Sequence, residues 1–152
     1  MFKKILVCLD GSEIAERIIP FVKEEALAMG SEVILLRVVN LPANLTLGVP
    51  GFPAVPFHTA SMPEQLKKEY SMAEAYLQRV AQLIREQRIQ VKGETLLGAP
   101  GPAIIGYANE NNVDLIAMVT HGHSGLRNVL LGSVAEYIVR ESGLPVMMIK
   151  PK

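Results

Sequence analysis

Five short apolar segments alternate along this chain with stretches that carry the apolar periodicity of helices. Runs of this length that end at turn residues are typical of β-strands, and the third run, which alternates with polar residues, predicts a less buried strand. Strands and helices that alternate in sequence form a parallel sheet with right-handed crossovers and helices on both faces. We therefore predict an α/β fold in a single domain, residues 1–152, with strands at residues 5–9, 33–39, 91–97, 113–119 and 144–149.

The first predicted helix follows a turn at residues 10–12 and ends at Gly30, since glycine readily adopts the left-handed conformation found after a helix. Pro20 lies inside this helix, where it removes one backbone hydrogen bond, and we expect a kink there. The residues expected on the buried stripe of this helix are Ile14, Ile18, Phe21, Val22, Ala26 and Met29.

Two Ser-x-x-Glu capping boxes, at residues 61–64 and 133–136, predict the starts of the second and the last helix. The Ser133 oxygen would then cap its helix, and this bond would compete with a ligand for the same atom. The second helix carries apolar residues at intervals of three and four, which favours packing on a sheet over a coiled coil. These residues are Leu66, Tyr70, Ala73, Leu77, Val80 and Ile84.

The stretch from about residue 40 to residue 60 combines four prolines and two glycines with apolar, uncharged residues. Prolines and glycines at this density exclude regular structure, whereas a disordered linker is normally polar. Connections longer than about 12–15 residues are uncommon and often functional. Three interpretations stay open: a surface loop, a flap over a binding site and a dimer contact.

The charge balance excludes several classes of partner. The 15 basic and 15 acidic residues cancel, so the chain has no electrostatic footprint for nucleic acid or for an anionic membrane, although one small phosphate ligand is compatible. One cysteine excludes an internal disulfide and fits a reducing compartment. The apolar run at residues 5–9 is too short for a signal peptide, and no apolar stretch reaches membrane-spanning length. We expect a cytoplasmic protein without nucleic-acid or membrane partners.

Polar residues follow the first and fourth predicted strands, at residues 10–12 and 120–122. In an open parallel sheet, ligands bind beyond the carboxyl ends of the strands where the strand order reverses, so these residues share one crevice if the two strands are neighbours. Gly132 and Ser133 precede a helix whose N-terminus offers N–H groups and about half a positive charge. The sequence therefore indicates a phosphate site that needs no lysine.

Asp10 admits more than one role. Its carboxylate can accept a hydrogen bond from a ribose hydroxyl or an adenine amino group, or it can help to hold a metal ion beside phosphates. The simpler alternative is that Asp10 or Ser12 caps the first helix. A phosphoacceptor aspartate is disfavoured, because that chemistry gathers several carboxylates and Asp114 lies at the opposite end of its strand.

Other candidate residues give weaker signals. His121 and His123 have no evident third ligand, so phosphate contact or turn hydrogen bonding is a better interpretation than a metal site. Cys8 ends a buried strand, which favours packing over nucleophilic chemistry. The chain lacks the P-loop, the Gly-x-Gly-x-x-Gly motif and the Gly-x-Ser-x-Gly elbow. No general base or activated nucleophile is evident for rapid turnover.

Blocks along the whole chain resemble the universal stress protein family. The most specific block runs from Thr-His-Gly at residue 120 to Leu-Leu-Gly-Ser-Val-Ala-Glu at residues 130–136. The other blocks are residues 3–7 (Lys-Lys-Ile-Leu-Val), 10–13 (Asp-Gly-Ser-Glu), 15–16 (Ala-Glu), 36–38 (Leu-Arg-Val), 114–118 (Asp-Leu-Ile-Ala-Met) and 145–146 (Pro-Val).

The resemblance implies a Rossmann-like fold of the adenine nucleotide alpha hydrolase-like type, with a five-stranded parallel sheet in the order 3-2-1-4-5. It also implies homodimers paired through the last strand, residues 144–149, an apolar edge that would aggregate if left bare. Some members bind ATP or AMP through Gly-x-x-Gly, nine residues and Gly-Ser/Thr, whereas others bind no nucleotide. The resemblance assigns adenosine contacts to Cys8 and Asp10, adenine contact to Val38, a place under the nucleotide to Met118 and Val119, and phosphate and ribose contacts to Gly122, Gly132, Ser133 and Val134.

Val119 departs from the family motif, because it occupies the place of the first glycine. A β-branched residue avoids positive φ and adds bulk beside a ligand. The first hypothesis is a stress-response switch that binds ATP or AMP, with Mg²⁺ held through the phosphates, and that is not a fast enzyme, although slow ATP hydrolysis is compatible. The second is a nucleotide-independent dimeric interaction module whose site Val119 blocks. The third is a hydrolase or transferase for adenylates, with His121 and Asp10 as acid and base.

Overall fold

The computed structural model describes residues 1–41, 63–120 and 132–151. Five parallel strands form one sheet in the order β3-β2-β1-β4-β5. The predicted α/β fold and the strand order that the resemblance implies are both confirmed. The strands are β1 (Lys4–Cys8), β2 (Glu32–Asn40), β3 (Val91–Gly98), β4 (Leu115–Val119) and β5 (Val146–Ile149); the helices are α1 (Ile19–Met29), α2 (Glu64–Arg85), α3 (Pro100–Glu110) and α4 (Ser133–Glu141); a 3-10 turn, Ala15–Ile18, precedes α1.

Strand side chains alternate between two apolar cores, one on each face of the sheet. On one face, Ile5 and Val7 of β1 pack in the core that includes α1 and α2, and on the other face, Leu6 packs in the core that includes α3 and α4. These three side chains have no exposed surface. The sheet is therefore covered on both faces, as the alternation of strands and helices predicts.

The first helix begins later than predicted. Residues Ala15–Ile18 form the 3-10 turn and α1 starts at Ile19, which places Pro20 in the first turn of the helix. A proline there loses no intrahelical hydrogen bond, because the first N–H groups of a helix have no intrahelical acceptor, so the lost bond on which the predicted kink depends does not arise. Gly30 ends α1 with φ +66°, and its N–H donates to the Ala26 carbonyl, as predicted.

The buried stripe of α1 is shorter than predicted. Ile18, Val22 and Ala26 are buried. The predicted stripe residues that are exposed are Ile14, Phe21 and Met29, at 38%, 50% and 47%. The buried positions recur at an interval of four residues, whereas Phe21 and Met29, also in α1, lie at the exposed margin of that stripe, and Ile14 precedes the 3-10 turn. In α2 the stripe is confirmed, with Tyr70 half-buried and the remainder buried: Leu66, Ala73, Leu77, Val80 and Ile84.

The two predicted capping boxes misplace the first residues of their helices. Pro63 and Gly132 adopt extended conformations directly before α2 and α4, and in the described residues no side-chain hydrogen bond caps either helix. An extended residue at that position is the N-cap, so Ser133 becomes the first helical residue rather than the cap. Likewise Glu64 is the first residue of α2, and Ser61 lies outside the described residues.

The proline- and glycine-rich segment at about residues 40–60 lies outside the described residues from residue 42 onward, and its three interpretations stay open. Leu41, the last described residue before it, packs against a small core formed by β2, β3 and α2. In the described part of the chain, no helix is both long and apolar enough to cross a membrane.

Two tyrosines provide a matched test of this packing. The Tyr70 hydroxyl donates to the Thr95 carbonyl at 3.0 Å, whereas the Tyr107 hydroxyl is buried without a hydrogen-bond partner in the described residues. Burial, and then the charges of Glu94 and Glu32, raise the pKa of Tyr107 to about 12. Tyr70→Phe should lower the free energy of unfolding by about 1 kcal/mol, because it removes a hydrogen bond. Tyr107→Phe should leave it unchanged or raise it.

Chemical denaturation of both variants and the parent protein measures these changes. An equal loss of stability in the two variants would contradict the hydrogen-bond assignment.

Candidate functional site

A cavity of about 450 Å³ lies at the carboxyl ends of β1, β2 and β4 and reaches the first turn of α4. The strand order reverses here, because the chain runs outward from β1 to β2 and β3 and then returns to β4 on the other side of β1. Ligands of open parallel sheets bind at such a point. The cavity is lined by eight residues that the sequence singles out: Cys8, Asp10, Val38, Met118, Val119, Gly132, Ser133 and Val134.

The lining of the cavity and the predicted site residues do not coincide completely. Three predicted residues, His121, Gly122 and His123, lie outside the described residues, so their place in the site stays a prediction. The lining residues that sequence reasoning missed include Arg37, Asn40, Glu69, Pro100 and Ile104. Pro100 offered a signal, because a helix that follows a strand of a parallel sheet starts at the ligand-binding edge. Glu69 offered none, since it is one of many charged residues on α2.

Asp10 is held by a tight turn after β1. Its Oδ1 atom accepts hydrogen bonds from the Ser12 N–H at 2.9 Å and from the Ser12 hydroxyl at 2.6 Å. The Ser12 oxygen in turn accepts a hydrogen bond from the Ala15 N–H at 3.1 Å, so Ser12 caps the 3-10 turn. In the described residues, Oδ2 of Asp10 has no hydrogen-bond partner. That oxygen can accept a hydrogen bond from a ligand.

The first turn of α4 supplies N–H groups beside the cavity that have no hydrogen-bond acceptor among the described residues. The first intrahelical bond runs from the Glu136 N–H to the Gly132 carbonyl at 2.9 Å. The preceding N–H groups, those of Ser133, Val134 and Ala135, therefore have no intrahelical acceptor. Because the Ser133 side chain does not cap the helix, the expected competition between cap and ligand does not arise. These donors and the helix dipole favour an anion.

Val119 ends β4 in extended conformation and pairs in register with Ile149 of β5. Its backbone is unstrained, since the described non-glycine residues with positive φ are Arg88 and Asn112. Its side chain packs in the core on the α1 and α2 face and is 6% exposed. A side chain with so little exposed surface projects only slightly into an open cavity. The bulk expected to obstruct the site therefore lies mostly in the core.

Apolar side chains form one wall of the cavity. Cys8, Val38 and Met118 all pack in the core on the α3 and α4 face. Burial raises the pKa of the Cys8 thiol to about 12, so this group stays protonated at neutral pH. A protonated thiol is a poor nucleophile, which supports the packing role of Cys8 over a catalytic one. A flat ring that lies against this wall would make apolar contacts with it rather than hydrogen bonds.

The charged side chains at the cavity are few. Among the described residues, those that line it are Asp10, Arg37 and Glu69. In the same part of the chain, no three His, Cys, Asp or Glu side chains are placed to hold a metal ion. The site therefore combines an apolar wall, two carboxylates, one guanidinium group and a set of backbone donors.

The family assignment rests on comparison with known proteins. A model of the universal stress protein family matches residues 1–150. Universal stress protein MJ0577 of Methanocaldococcus jannaschii is 32% identical over 160 aligned residues, which cover 100% of this chain and 97% of the relative. The solved structure of protein MJ0577 matches with a TM-score of 0.82 at 29% identity and covers 100% of this chain and 98% of that one.

Two further solved structures share the fold. The universal stress protein from Archaeoglobus fulgidus in complex with dAMP has a TM-score of 0.65 at 22% identity and covers 98% of either chain. A universal stress protein in complex with cAMP has a TM-score of 0.68 at 19% identity and covers 99% of this chain and 98% of that one. The match of the family model over residues 1–150 and the 32% identity to MJ0577 over the whole chain establish the conclusion. The chain belongs to the universal stress protein family.

Proposed function

We propose that this protein binds ATP or AMP in the cavity at the ends of β1 and β4 and acts in the cytoplasm as a nucleotide-sensitive switch in the stress response. The observation that carries the proposal is the meeting of an apolar wall and unbonded α4 N–H groups in one cavity. The adenine base would pack against the apolar wall, and the phosphates would accept hydrogen bonds from the N–H groups. A volume of about 450 Å³ also lies in the range of small-molecule sites.

The proposed ligand spans the cavity from wall to helix. The adenine lies against Val38 and Met118, and the ribose lies near Asp10. The phosphates accept hydrogen bonds from the N–H groups of Ser133 and Val134, where Gly132 leaves room for them. Gly122, His121 and His123 are further proposed phosphate contacts, and Mg²⁺ is held through the phosphates rather than by a protein cage.

Two relatives support the choice of an adenine nucleotide. The protein from Archaeoglobus fulgidus is a complex with dAMP, and the other universal stress protein is a complex with cAMP. Both ligands contain adenine and phosphate, the two groups that the wall and the α4 N-terminus would recognise. Slow hydrolysis of bound ATP is compatible with the proposal, whereas rapid turnover is not part of it.

Thermal unfolding with and without millimolar Mg-ATP tests the proposal. A ligand at a hundred times its Kd stabilises the fold by about 2.7 kcal/mol, and each kcal/mol raises the Tm of a domain of this size by about 2–4 °C. Micromolar affinity therefore predicts a rise of roughly 5–11 °C. No rise would favour a nucleotide-independent interaction module. A rise with rapid release of ADP would favour a hydrolase.

Gly132→Val is the matched control for that measurement. Gly132 has φ −67° and ψ +162°, an extended conformation that valine also adopts, so the fold should persist. The added side chain would occupy space that the proposed phosphates need. The variant should therefore unfold at a Tm near that of the parent protein and lose the shift with Mg-ATP.

Val119→Ala tests whether the Val119 side chain obstructs the nucleotide site or only packs in the core. The buried valine side chain contributes to the core, so its truncation should lower the free energy of unfolding by about 1–3 kcal/mol. Because little of the side chain projects into the cavity, the Kd for ATP should change by less than about threefold, a free-energy change under 1 kcal/mol. Isothermal titration and denaturation measure the two quantities. A tenfold gain in affinity would show that Val119 blocks the site.

The proposal includes a homodimer paired through the edge strand β5. β4 is the neighbour of β5 in the described sheet, and residues 146–149 are half-buried. The Pro145 carbonyl accepts a hydrogen bond from Ile116 of β4, and the Ile149 carbonyl accepts one from Thr120, the residue after β4. Backbone groups alternate in direction along a strand, so those of Val146 and Met148 point outward. An apolar edge with outward donors and acceptors is a template for pairing with another chain.

Met148→Pro tests this interface. It removes an outward N–H and leaves the bonds to β4 intact, which an edge strand tolerates. Sedimentation velocity should give a dimer for the parent protein and for the matched control Met148→Leu, and a monomer for Met148→Pro. A Met148→Pro protein that remains dimeric would place the interface elsewhere.

A further inference from the structure

The Arg37 side chain contacts the turn that carries Asp10. Its neighbours in β2, Leu36 and Val38, pack in the core on the α3 and α4 face, so the Arg37 side chain points to the opposite face. A Cβ atom at Gly11 would lie 2.5 Å from Nη1 and 2.9 Å from Cζ of Arg37. The guanidinium group therefore occupies the space that a side chain at position 11 would need.

The guanidinium group also contacts an aromatic ring. Its Cζ atom is 5.6 Å from the centroid of the Tyr76 ring on α2, within the range of a cation–π contact. The same ring contacts Arg79 at 5.3 Å, and Arg79 pairs with Glu16 at 3.4 Å. Glu16 belongs to the 3-10 turn that follows Asp10. Contacts from β2 and from α2 thus converge on the segment that begins with Asp10.

We infer that Arg37 is a positioning residue: in contact with both Tyr76 and Gly11, it holds the turn so that Asp10 can accept a hydrogen bond from a ribose hydroxyl. The ribose contact rests on the proposed function, whereas the hold on the turn does not. Oδ1 of Asp10 is bonded to Ser12, so the orientation of the turn sets the orientation of Oδ2. In the described residues no carboxylate pairs with Arg37, which agrees with a role in stacking rather than in a salt bridge.

The role requires arginine. A planar guanidinium group can lie flat against a tyrosine ring on one side and a glycine backbone on the other, whereas the ammonium group of lysine is a compact point charge. Arg37→Lys should therefore behave like Arg37→Met. Gly11 is required for the same contact, since its φ of +88° suits glycine and its missing side chain leaves room for Arg37.

Amide hydrogen exchange of the ligand-free protein tests the hold on the turn. The Ser12 N–H donates to Asp10 Oδ1, so its exchange rate reports the order of this turn. Arg37→Met and Arg37→Lys should raise the exchange rate of Ser12 by tenfold or more, while amides in β4 stay protected. Arg140→Met, which removes a similar arginine–tyrosine contact on α4, is the matched control and should leave Ser12 unchanged. Unchanged Ser12 exchange in the Arg37 variants would overturn the inference.

Nucleotide analogues test the ribose contact. Kd values for ATP, 2′-deoxy-ATP and 3′-deoxy-ATP are measured with the parent protein, Asp10→Asn and Arg37→Met. Arg37→Met should weaken ATP about tenfold and leave unchanged the analogue that lacks the hydroxyl bound by Asp10, with Asp10→Asn giving the same pattern. An equal loss for all three ligands would mean that Arg37 serves only the fold, and would overturn the ribose contact.

The two experiments separate the two proposals. If the parent protein binds no nucleotide, the proposed function and the ribose contact both fail, and Ser12 exchange still decides whether Arg37 holds the turn. If Arg37→Met does not fold, Tyr76→Leu is the second test, because it removes the aromatic ring that contacts the guanidinium group. It should raise Ser12 exchange in the same way, and an unchanged rate would contradict the inference.

Discussion

The position of β1 between β2 and β4 fixes the geometry of the candidate site. Val7 is in register with Leu35 on one side and with Ala117 on the other, and the Leu9 N–H extends the ladder to the Leu36 carbonyl at 2.9 Å. Asp10 follows at once, and β4 ends two residues beyond Ala117. A slip of one residue in either pairing would turn these side chains to the other face of the sheet. Ile5, Leu6 and Val7 have no exposed surface, so a slip would force each of them into a core that is packed around other side chains.

The proposed binding mode places the phosphates on backbone groups at the start of α4. The chain has no net charge, and Arg37 is the cation among the described residues that line the cavity. The N–H groups of the first turn of α4 are held in place by the helix itself and need no ordering when a ligand arrives. The apolar wall belongs to the core on the α3 and α4 face, so the surface proposed for the base shares the close packing of that core. In this proposal, the fold supplies the wall and the α4 donors before any ligand binds.

The alternation of apolar and helical segments predicted the fold class because each segment must bury its apolar side. It could not fix which strands are neighbours, and the order 3-2-1-4-5 came from the family resemblance. Both helix starts with a Ser-x-x-Glu motif were placed wrongly, because the extended Pro63 and Gly132 take the N-cap position. The start of α1 was missed because apolar residues spaced three or four apart are compatible with a 3-10 turn as well as with an α-helix.

For the site, strand ends and the α4 start predicted residues that meet in one cavity, since parallel strands end at a common edge. The sequence could not show whether Val119 affects binding. The glycine that the family motif has at this position could be needed for a positive φ or for the space that it leaves beside a ligand. The structure shows an extended backbone and a side chain that is 6% exposed at Val119, and the effect of this valine on binding stays a prediction. Arg37 was missed because its contacts, Gly11 and Tyr76, are distant in sequence and become neighbours only when the sheet forms.

A crystal structure of the protein grown with Mg-ATP tests the central claim most directly, because it shows where the phosphates lie. We predict an adenine nucleotide in the cavity, with phosphate oxygens within hydrogen-bond distance of the N–H groups of Ser133 and Val134 and with its base against Val38. An empty cavity at millimolar nucleotide, or a nucleotide bound away from the α4 N-terminus, would contradict it.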